Sequence, residues 1–470
     1  MTQGANPYEG LFQKQLDRYL EVGQQGARQR LSRLKALRKA LEHTYRQPIR
    51  EALYADFKKP YLETDLTEIY PILSEIRHVE RNLREWMRPR RVQSPLTMLG
   101  ARSRIRYESK GVCLILSPWN FPLNLTLGPL VLALAAGNCV ILKPSEATPA
   151  TSQLMQEIIE ALFDPSEVAL VQGEVETAQA LLELPFHHIF FTGSPRVGKI
   201  VMQAAARHLS SVTLELGGKS PAFVDESAAM ATTAKRLAWG KCLNAGQICV
   251  APDYVLVTEK AREPLIDALK KELNNFFPSG ADRSESYASI ISREHLQRLS
   301  EAVEEATDRG ATLHYGGRVD LDQRFLEPTL LEGVPEDTRL LQEEIFGPVL
   351  PIVTVSGVEE AISFINRRER PLALYIYSRN KQHIRQILNR TRAGSGCINH
   401  NVVQYSNHHL PFGGVNNSGI GKSHGFQGFL EFSNQRSLVR QYTPSAIELL
   451  LPPYSGWKQK MADATLRWFK

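Results

Sequence analysis

The chain has 470 residues, of which 43% are hydrophobic and 23% are charged. These proportions are ordinary for a globular enzyme and exclude a disordered or fibrous chain. At roughly 100–200 residues per domain, the length predicts two or three domains. The formal net charge of +6 is too dilute over this length to predict nucleic-acid binding.

The cysteine content points to a reducing compartment. The five cysteines are Cys113, Cys139, Cys242, Cys249 and Cys397. Because their number is odd and no CxxC pair occurs, the sequence predicts neither a disulfide framework nor a zinc site, and we expect no metal. A cytoplasmic location fits free thiols best. It also fits the polar N-terminus, which has no apolar segment typical of a secretory signal.

The first hundred residues have a helical pattern. Residues 10–60 predict helices, because leucines recur at helical spacing between Leu31 and Leu41. The pattern continues over residues 62–88 and ends at Pro89. The segment Arg102–Tyr107 then alternates basic with apolar or aromatic residues, which predicts an exposed strand.

From residue 111 onwards, short apolar segments alternate with helical patterns, which predicts an α/β fold of two modules with buried parallel sheets. The predicted strands are Gly111–Leu116, Val140–Lys143, Val168–Val171, His188–Thr192, Thr213–Leu216 and Pro221–Val224, with others near 254–257, 350–354 and 371–377. The longest uninterrupted apolar segment is Leu125–Ala136. It is shorter than the ~18 residues that span a membrane, so we interpret it as buried core.

Two segments that follow predicted strands carry groups suited to a nucleotide. Phe191–Lys199 runs from a strand through Gly193 and Gly198 into a helix, whose N-terminus would favour a phosphate. These glycines do not form GxGxxG, and a plain turn is the alternative. Lys143 and Glu146 lie where open α/β sheets bind ligands, with a solvated surface ion pair as the alternative.

Three further residues are candidates for catalysis. Glu215 ends an apolar strand before two glycines, and partial burial there would raise its pKa toward that of a general base. Cys249 lies near a loop-to-helix boundary, where a lowered pKa would make its thiolate a nucleophile. Asn120 is held between prolines, and its amide could donate to an oxyanion. The alternatives are a loop cap, an inert core cysteine and a plain loop asparagine.

The joint order of seven segments resembles the aldehyde dehydrogenase superfamily over residues 10–440. The segments are Ser117–Pro122, Lys143–Glu146, Gly193–Gly198, Glu215–Pro221, Gly246–Cys249, Glu343–Pro348 and Pro411–Gly414. The runs Cys249–Tyr254 and Asn417–Gly421 resemble the class 3 branch, which includes fatty, aromatic and coniferyl aldehyde dehydrogenases.

This resemblance implies an NAD(P)-dependent oxidation of an aldehyde to a carboxylic acid. Cys249 would attack the aldehyde to give a thiohemiacetal and then a thioester. The Asn120 amide and the Cys249 backbone N–H would hold the oxyanion, and Glu215 would activate the hydrolytic water. The aromatic and apolar residues near these positions predict an apolar substrate, a medium- or long-chain aliphatic or an aromatic aldehyde. They are Trp119, Phe121, Ile248 and Tyr405.

The resemblance also implies where NAD or NADP binds, with NAD slightly favoured because Glu146 suits a free 2′-hydroxyl. Lys143 and Glu146 would bind the adenosine ribose, and Glu344 the nicotinamide ribose. The implied cofactor-binding residues are Lys143, Glu146, Gly193, Ser194, Val197, Gly198, Glu344, Phe346 and Trp119. Three residues depart from the commoner pattern: Pro195 and Ile248 stand where threonine is more usual, and Asn416 where glycine is frequent.

The implied fold is that of the aldehyde dehydrogenases, with a Rossmann-type cofactor domain, an α/β catalytic domain and a small oligomerisation element. We expect residues 1–97 and 111–212 to form the NAD(P)-binding domain and 213–395 the catalytic domain. Residues 98–110 and 425–442 would form the bridging element of a homodimer. The tail 443–470 would either pack on protein or make a weak membrane-surface contact through its aromatic and apolar residues.

Three alternatives to this function remain at this stage. The first is a CoA-acylating dehydrogenase or a reductase of acyl phosphates, but the presence of Glu215 favours hydrolysis by water. The second is a structural, non-catalytic use of the fold, against which the joint presence of Asn120, Glu215 and Cys249 argues. The third is an enzyme of lipid aldehydes at the periphery of a membrane, which differs only in location.

Overall fold

The structure is a computed structural model that describes residues 6–95, 98–443 and 445–468. Its helices are α1 (Glu9–Gln24), α2 (Ala27–Lys39), α3 (Arg46–Phe57), α4 (Tyr61–Thr64), α5 (Tyr70–Trp86), α6 (Pro122–Ala136), α7 (Pro149–Leu162), α8 (Val175–Leu182), α9 (Pro195–Ala206), α10 (Met230–Cys242), α11 (Glu259–Phe276), α12 (Arg293–Asp308), α13 (Arg339–Gln342), α14 (Val358–Asn366), α15 (Lys381–Arg390), α16 (Gly425–Glu431) and α17 (Gly456–Trp468). The predicted helical region before residue 90 is therefore confirmed.

Its strands are β1 (Arg90–Val92), β2 (Ala101–Ser109), β3 (Val112–Leu116), β4 (Cys139–Lys143), β5 (Val168–Leu170), β6 (His188–Gly193), β7 (Ser211–Leu216), β8 (Pro221–Val224), β9 (Tyr254–Thr258), β10 (Thr312–Tyr315), β11 (Val319–Asp320), β12 (Phe325–Leu326), β13 (Thr329–Glu332), β14 (Val349–Val355), β15 (Ala373–Tyr377), β16 (Ser395–Ile398), β17 (Gly419–Ile420) and β18 (Ser433–Gln441). Each predicted strand has a counterpart here.

Two mostly parallel sheets organise the molecule. One has six strands in the order β17-β7-β6-β3-β4-β5, and only β17 runs antiparallel to its neighbour. The other has seven strands in the order β10-β13-β14-β9-β8-β15-β16, with β10 antiparallel. The predicted α/β class with two sheet modules is confirmed.

Strand β3 illustrates why the six-stranded sheet is covered on both faces. All of its residues are buried. Cys113 and Ile115 lie in the apolar core that α6 shares, whereas Leu114 and Leu116 lie in the core formed with α1 and α9. Because successive side chains of a strand point to opposite faces, an uninterrupted apolar run is what a sheet between two helical layers requires.

Helix α6 is the apolar segment that was interpreted as core. It has apolar residues on every side, and almost all of them are buried between the sheet and the N-terminal helices. Of the helices in the described residues, none combines the length and the apolarity needed to cross a bilayer.

Both predicted boundaries of the catalytic domain fall on strands. The boundary after residue 212 lies inside β7, which pairs in parallel with β6 and so belongs to the six-stranded sheet throughout. The boundary at residue 395 lies at the first residue of β16, which pairs with β15. An apolar run reveals a strand but not the sheet that it joins, so these limits shift by a few residues. The division into domains itself remains a prediction.

The two segments of the predicted bridging element do meet. Strand β18 pairs antiparallel with β2 along its whole length, and β1 pairs with the other edge of β2. The segment 425–442 is only partly strand, because residues 425–431 form α16. Strand β18 is an edge of this sheet, and almost all of it is exposed.

The tail forms a short 3₁₀ turn and then α17, none of whose residues is buried. The apolar side chains of this helix are exposed, with Trp468 82% and Leu466 67% accessible. Packing of this helix on its own subunit is therefore not seen. Phe469, one of the aromatic residues of the tail on which the predicted membrane contact rests, lies outside the described residues.

A buried ion pair joins the N-terminal helices to the segment after β3. Lys59 and Glu68 are both fully buried, and Lys59 Nζ lies 2.6 Å from Glu68 Oε1. Lys59 Nζ also lies 3.9 Å from the centre of the Phe121 ring and 3.5 Å from the carbonyl oxygen of Asn120. The second carboxylate oxygen of Glu68 accepts the backbone N–H of Asn124 at 2.9 Å. The pair thus supports both ends of the segment that carries Asn120.

We expect Glu68→Ala to lower the free energy of unfolding by about 3–5 kcal/mol, because it leaves Lys59 buried without a counter-charge. The double variant Lys59→Met/Glu68→Leu should regain much of this loss, since it removes both charges. Melting temperatures of the two variants measure the difference in stability. The control is Glu21→Ala, which removes a carboxylate that is exposed. Equal melting temperatures for Glu68→Ala and the control would contradict this expectation.

Candidate active site

The candidate site begins where parallel strands of the six-stranded sheet end. Leu116 of β3 pairs with both Lys143 of β4 and Phe191 of β6. Thr192 of β6 pairs with Glu215 of β7. Because these strands are parallel and in register, the segments that follow them start at one edge of the sheet. Those segments carry Asn120, Glu146, Ser194 and, at the end of β7 itself, Glu215.

The loop with Cys249 lies between α10 and β9 and begins with a left-handed turn. Asn244 and Ala245 both have φ of +50°, and Gly246 follows with φ of +73°. A side chain makes this backbone region unfavourable, so contacts outside the turn must hold it. A Cβ atom on Gly246 would collide with the carbonyl of Gly347. The turn therefore packs directly on the Glu343–Pro348 segment.

Two buried amide side chains hold this turn. The Asn244 amide donates to the carbonyl oxygens of Asn120 at 3.0 Å and Gln247 at 3.2 Å. The Gln247 amide donates to the carbonyl oxygens of Asn244 at 3.0 Å and Ser289 at 3.1 Å. Its Oε1 accepts the backbone N–H of Ile291 at 2.9 Å. The Asn244 Oδ1 is buried without a hydrogen-bond partner among the described residues. The hydrogen bonds that are made fix one geometry, because a lost partner would leave a further polar group unsolvated.

No role was predicted from the sequence for Asn244 or Gln247. The signal that was present is the composition of the run Asn244–Cys249, in which amides flank a glycine just before an apolar segment. Their partners, such as the backbone of Asn120 and Ile291, lie far away in the sequence and are revealed only by the fold.

Asn120 is buried beside this loop. Its Nδ2 donates to the carbonyl oxygen of Gln247 at 3.0 Å, two residues before Cys249. This hydrogen bond fixes the plane of the amide and uses one of its two N–H groups. The structure therefore brings Asn120 and the cysteine loop together, as the resemblance implied.

The surroundings of Cys249 differ from the expected ones. Burial raises the pKa of the half-buried Cys249 thiol, and the carboxylates of Glu344 and Glu215 raise it further. The backbone N–H groups of Cys249 and Val250 act in the opposite direction but do not compensate. The expectation of a lowered pKa from a loop-to-helix boundary was wrong for this isolated chain, because desolvation outweighs the backbone dipoles.

Glu215 has the environment that was expected for a general base. It is 5% exposed at the end of β7, and burial raises its pKa to about 7. The Ser423 hydroxyl donates a hydrogen bond to Glu215 Oε1 and, with the charge of Lys422, opposes this shift. Ser423 was not predicted from the sequence. It is brought to Glu215 because the neighbouring residues Gly419 and Ile420 form β17, which pairs with β7.

Glu344 lies in the segment before β14 of the seven-stranded sheet and is close to the loop that follows Glu215. Its carboxylate lies against Gly217, where any Cβ atom would collide with it. Burial and the charge of Asp253 raise the pKa of Glu344 to about 8, while a backbone hydrogen bond from Gly218 opposes the shift. Gly217 therefore serves a close approach, not only a turn.

Three aromatic side chains pack together around Phe346, two residues after Glu344. The rings of Trp119 and Phe346 meet edge to face with centroids 5.3 Å apart, and Trp119 also contacts His295. His295 Nε2 lies 2.7 Å from the carbonyl oxygen of Phe346, whose φ is +52°. This contact supports a strained backbone conformation, which places Phe346 next to Trp119.

The residues assigned to the cofactor fit a nucleotide. Lys143 Nζ pairs with Glu146 Oε2 at 2.7 Å, so a cation and a carboxylate are available together at the end of β4. Ser194 caps α9 by accepting the Val197 N–H at 3.4 Å, and this helix N-terminus opens on the same edge. The hydroxyl of Thr192 is buried there without a hydrogen-bond partner among the described residues. These groups suit ribose hydroxyls and phosphate oxygens.

Two of the sequence departures have a structural explanation. Pro195 occupies the first turn of α9, where a missing backbone N–H costs no hydrogen bond. Asn416 has φ of +54°, a region that asparagine adopts more readily than other residues with side chains, and the Arg370 guanidinium donates to its Oδ1. Ile248 is buried beside the nucleophile loop.

The sequence of this chain is similar to the sequences of one protein family. The aldehyde dehydrogenase family profile matches residues 12–438. A 4,4'-diaponeurosporen-aldehyde dehydrogenase of Staphylococcus aureus is 41% identical over 91% of this chain and 92% of its own length. A probable coniferyl aldehyde dehydrogenase of Pseudomonas aeruginosa is 42% identical over 98% and 96%. Rat aldehyde dehydrogenase family 3 member B1 is 45% identical over 87% of each chain.

Solved structures give the same result. The substrate-bound state of Staphylococcus aureus AldH superposes with a TM-score of 0.93 and 39% identity, over 97% of this chain and 99% of that one. An NAD⁺ complex of an aldehyde dehydrogenase from Bacillus cereus has a TM-score of 0.84 and 27% identity, over 92% and 88%. On this evidence and on the geometry of the site, the chain belongs to the aldehyde dehydrogenase family.

Proposed function

We propose that this chain oxidises an apolar aldehyde, aliphatic of medium or long chain or aromatic, to the carboxylic acid with NAD or NADP. One observation carries the proposal: the Asn120 amide donates to the Gln247 carbonyl oxygen at 3.0 Å, which holds the loop of the half-buried Cys249 at the sheet edge where Glu215 ends β7. The carboxylates of Glu215 and Glu344 both raise the pKa of this thiol. A nucleophile and a general base are thus paired at the sheet edge to which Asn120 and the cofactor-binding candidates also belong.

In the first step the Cys249 sulfur would attack the aldehyde carbon after losing its proton. The Asn120 amide, oriented by the Gln247 carbonyl, would donate to the resulting oxyanion together with the Cys249 backbone N–H. Since burial raises the pKa of Cys249, the thiol would not be ionised at rest, and its proton would pass to a nearby base as the aldehyde binds.

The cofactor would lie across the edge formed by Lys143, Glu146, Gly193, Ser194, Val197 and Gly198, and would reach Glu344, Phe346 and Trp119 at its nicotinamide end. When bound, the nicotinamide supplies the hydride acceptor that turns the thiohemiacetal into a thioester. Both NAD and NADP remain in the proposal. The pairing of Glu146 with Lys143 keeps a carboxylate available for a ribose 2′-hydroxyl, which slightly favours NAD.

Glu215 would then remove a proton from the water that hydrolyses the thioester. A carboxyl group whose pKa is raised to about 7 is half ionised near neutral pH, so it both accepts the proton and releases it again. The presence of this base supports hydrolysis over transfer to CoA. It also argues against a purely structural role for the fold.

The apolar surroundings support an apolar substrate. Ile248 beside the nucleophile is buried, and the Trp119 and Phe346 rings pack together near Glu344. Tyr405 packs edge to face on Phe412 with centroids 4.9 Å apart. Two relatives are named for 4,4'-diaponeurosporen aldehyde and coniferyl aldehyde, and these names support the same choice.

We expect Cys249→Ala to abolish NAD(P)H formation, because no other group would form the thioester. The assay follows absorbance with benzaldehyde, decanal and coniferaldehyde and each of the two cofactors. Cys397→Ala is the matched control, since Cys397 is also half-buried and its Sγ donates to Gln404. Activity that survives in Cys249→Ala would overturn the mechanism. A folded but inactive wild type would favour the acylating or structural alternatives.

We expect the hydrolysis of the acyl-enzyme to depend on pH with a midpoint near the Glu215 pKa of about 7. The base must be ionised, so the rate should fall tenfold per pH unit below the midpoint and level off above it. Glu215→Gln should keep the first turnover of NAD(P)H and slow the later ones by ~10²-fold or more. Stopped-flow traces from pH 5 to 9 separate the two phases. A midpoint retained in Glu215→Gln would refute the assignment.

We also propose that the exposed edge of β18 pairs with a second copy of the chain to form a homodimer. A long unpaired edge is a template for another strand, and this one has exposed Leu438 and Val439.

The exposed apolar side chains of α17, together with its basic residues, support a weak contact of the tail with a membrane surface.

A single sedimentation experiment tests both statements. The full chain and a variant that ends at residue 442 should both sediment as dimers, because β18 is intact in each. Only the full chain should co-sediment with vesicles of phosphatidylcholine and phosphatidylglycerol. Monomers would contradict the pairing of β18, and equal vesicle binding by both chains would contradict the role of the tail.

A further inference from the structure

A small cavity lies beside Glu215. It has a volume of about 20 Å³, and its polar lining consists of Glu75, Asn124, Glu215, Tyr405, His408, Ser423 and His424. A cavity of this size has room for about one water molecule, and these groups offer that water several hydrogen-bond partners. The cavity thus connects the general base with a cluster of two histidines and a second carboxylate.

The inner end of this connection is the hydrogen bond that the Ser423 hydroxyl donates to Glu215 Oε1. At the other end, His408 Nδ1 lies 2.8 Å from Glu75 Oε2, and Glu75 also accepts the Gly425 backbone N–H at 3.1 Å. Both ring nitrogens of His408 and the Nδ1 of His424 are buried, and within the described residues none of these three atoms makes a hydrogen bond of good geometry. Such nitrogen atoms are free to exchange a proton with a water molecule.

The same two histidines line a second cavity, which reaches the surface. It has a volume of about 280 Å³, and four histidines line it: His78, His408, His409 and His424. The ring of His78 lies 4.7 Å from that of His409 and 6.0 Å from that of His408, measured between centroids. His409 is exposed and His78 is half-buried. His408 and His424 therefore separate a buried cavity at Glu215 from one open to solvent.

We propose that His424 and His408 carry the proton that Glu215 takes from the hydrolytic water to the surface at His78 and His409. This inference rests on the proposed function, in which Glu215 must lose one proton in every turnover. The proton leaves the Glu215 carboxyl through the Ser423 hydroxyl and a water in the small cavity. An imidazole then accepts it at one nitrogen and releases one from the other, so no net charge stays inside.

The electrostatics of the cluster agree with a transfer role. Burial lowers the pKa of His424 to about 4, so its ring is neutral at rest and keeps a lone pair for an incoming proton. The neighbouring His408 keeps the pKa of Glu75 below its usual value despite burial, so this carboxylate stabilises a passing positive charge. The other charged or titratable groups that face the cluster are Lys422, Glu431, Arg81 and Tyr405.

A metal ion is the competing interpretation, because Glu75, His408 and His424 offer three ligand atoms within 4.8 Å of one another. Donors that share one tetrahedral zinc ion at ~2.0–2.1 Å lie ~3.3 Å apart. His408 Nδ1 and Glu75 Oε2 are only 2.8 Å apart, which is too close for two ligands of one such ion. The geometry therefore favours proton transfer over metal binding.

Hydrolysis of 4-nitrophenyl acetate tests the proposal without a cofactor. Acylation of Cys249 releases a burst of 4-nitrophenolate, and the later steady rate reports removal of the acetyl group by water and Glu215. We expect His424→Ala and His408→Gln to keep the burst and to lower the steady rate about tenfold, less than the loss of the base itself would. Added imidazole should restore His424→Ala, because the deletion leaves space for the ring. His314→Gln is the control, since His314 pairs with Glu332 elsewhere.

The outcomes distinguish a failure of the proposed function from a failure of the proton-transfer path. No burst in the wild type, or a burst that survives in Cys249→Ala, would overturn the proposed function. A normal burst with unchanged steady rates in both histidine variants would overturn only the transfer path. A burst and steady rate that fall together, without rescue by imidazole, would show a structural role. One equivalent of zinc in the purified wild type, lost in His424→Ala, would assign the cluster to a metal.

Discussion

The buried amides of Asn244 and Gln247 are the contacts on which the rest of the site depends. They join the left-handed turn before Cys249 to the segment after β3 and to the backbone near Ile291. Neither sheet alone contains the proposed nucleophile, the proposed oxyanion donor and the proposed base. The hydrogen bonds of these two amides hold the loop from one module against the strand ends of the other. Loss of a single amide partner would leave several buried polar groups unsatisfied.

Burial has a different effect on each ionisable group of the site. It raises the pKa of Cys249, which keeps the thiol in its neutral form at rest. It raises the pKa of Glu215 to about 7, where a carboxylate is both a useful base and a ready acid. It also isolates Glu215 from bulk water, which makes a route for its proton necessary. The histidine cluster around Glu75 lies where such a route would run.

The sequence was sufficient for the strands, the sheet edge and most candidate site residues. Apolar runs such as Val112–Leu116 predict strands because a sheet covered on both faces needs them. The missed features depend on contacts between distant segments. Glu75 meets the Gly425 backbone 350 positions away, and the pKa of Cys249 depends on carboxylates from two other segments. The exposed surface of α17 was equally unpredictable, because its composition also suits a packed tail.

The pairing of β2 with β18 has a consequence for how the chain is made. Arg436 and Glu108, which form an ion pair across these strands, are 328 positions apart. At ~5–20 residues per second of synthesis, β2 would leave the ribosome tens of seconds before its partner exists. An unpaired strand invites aggregation during that interval. The arginines at every second position of β2, Arg102, Arg104 and Arg106, would repel neighbouring chains on the same polysome until β18 arrives.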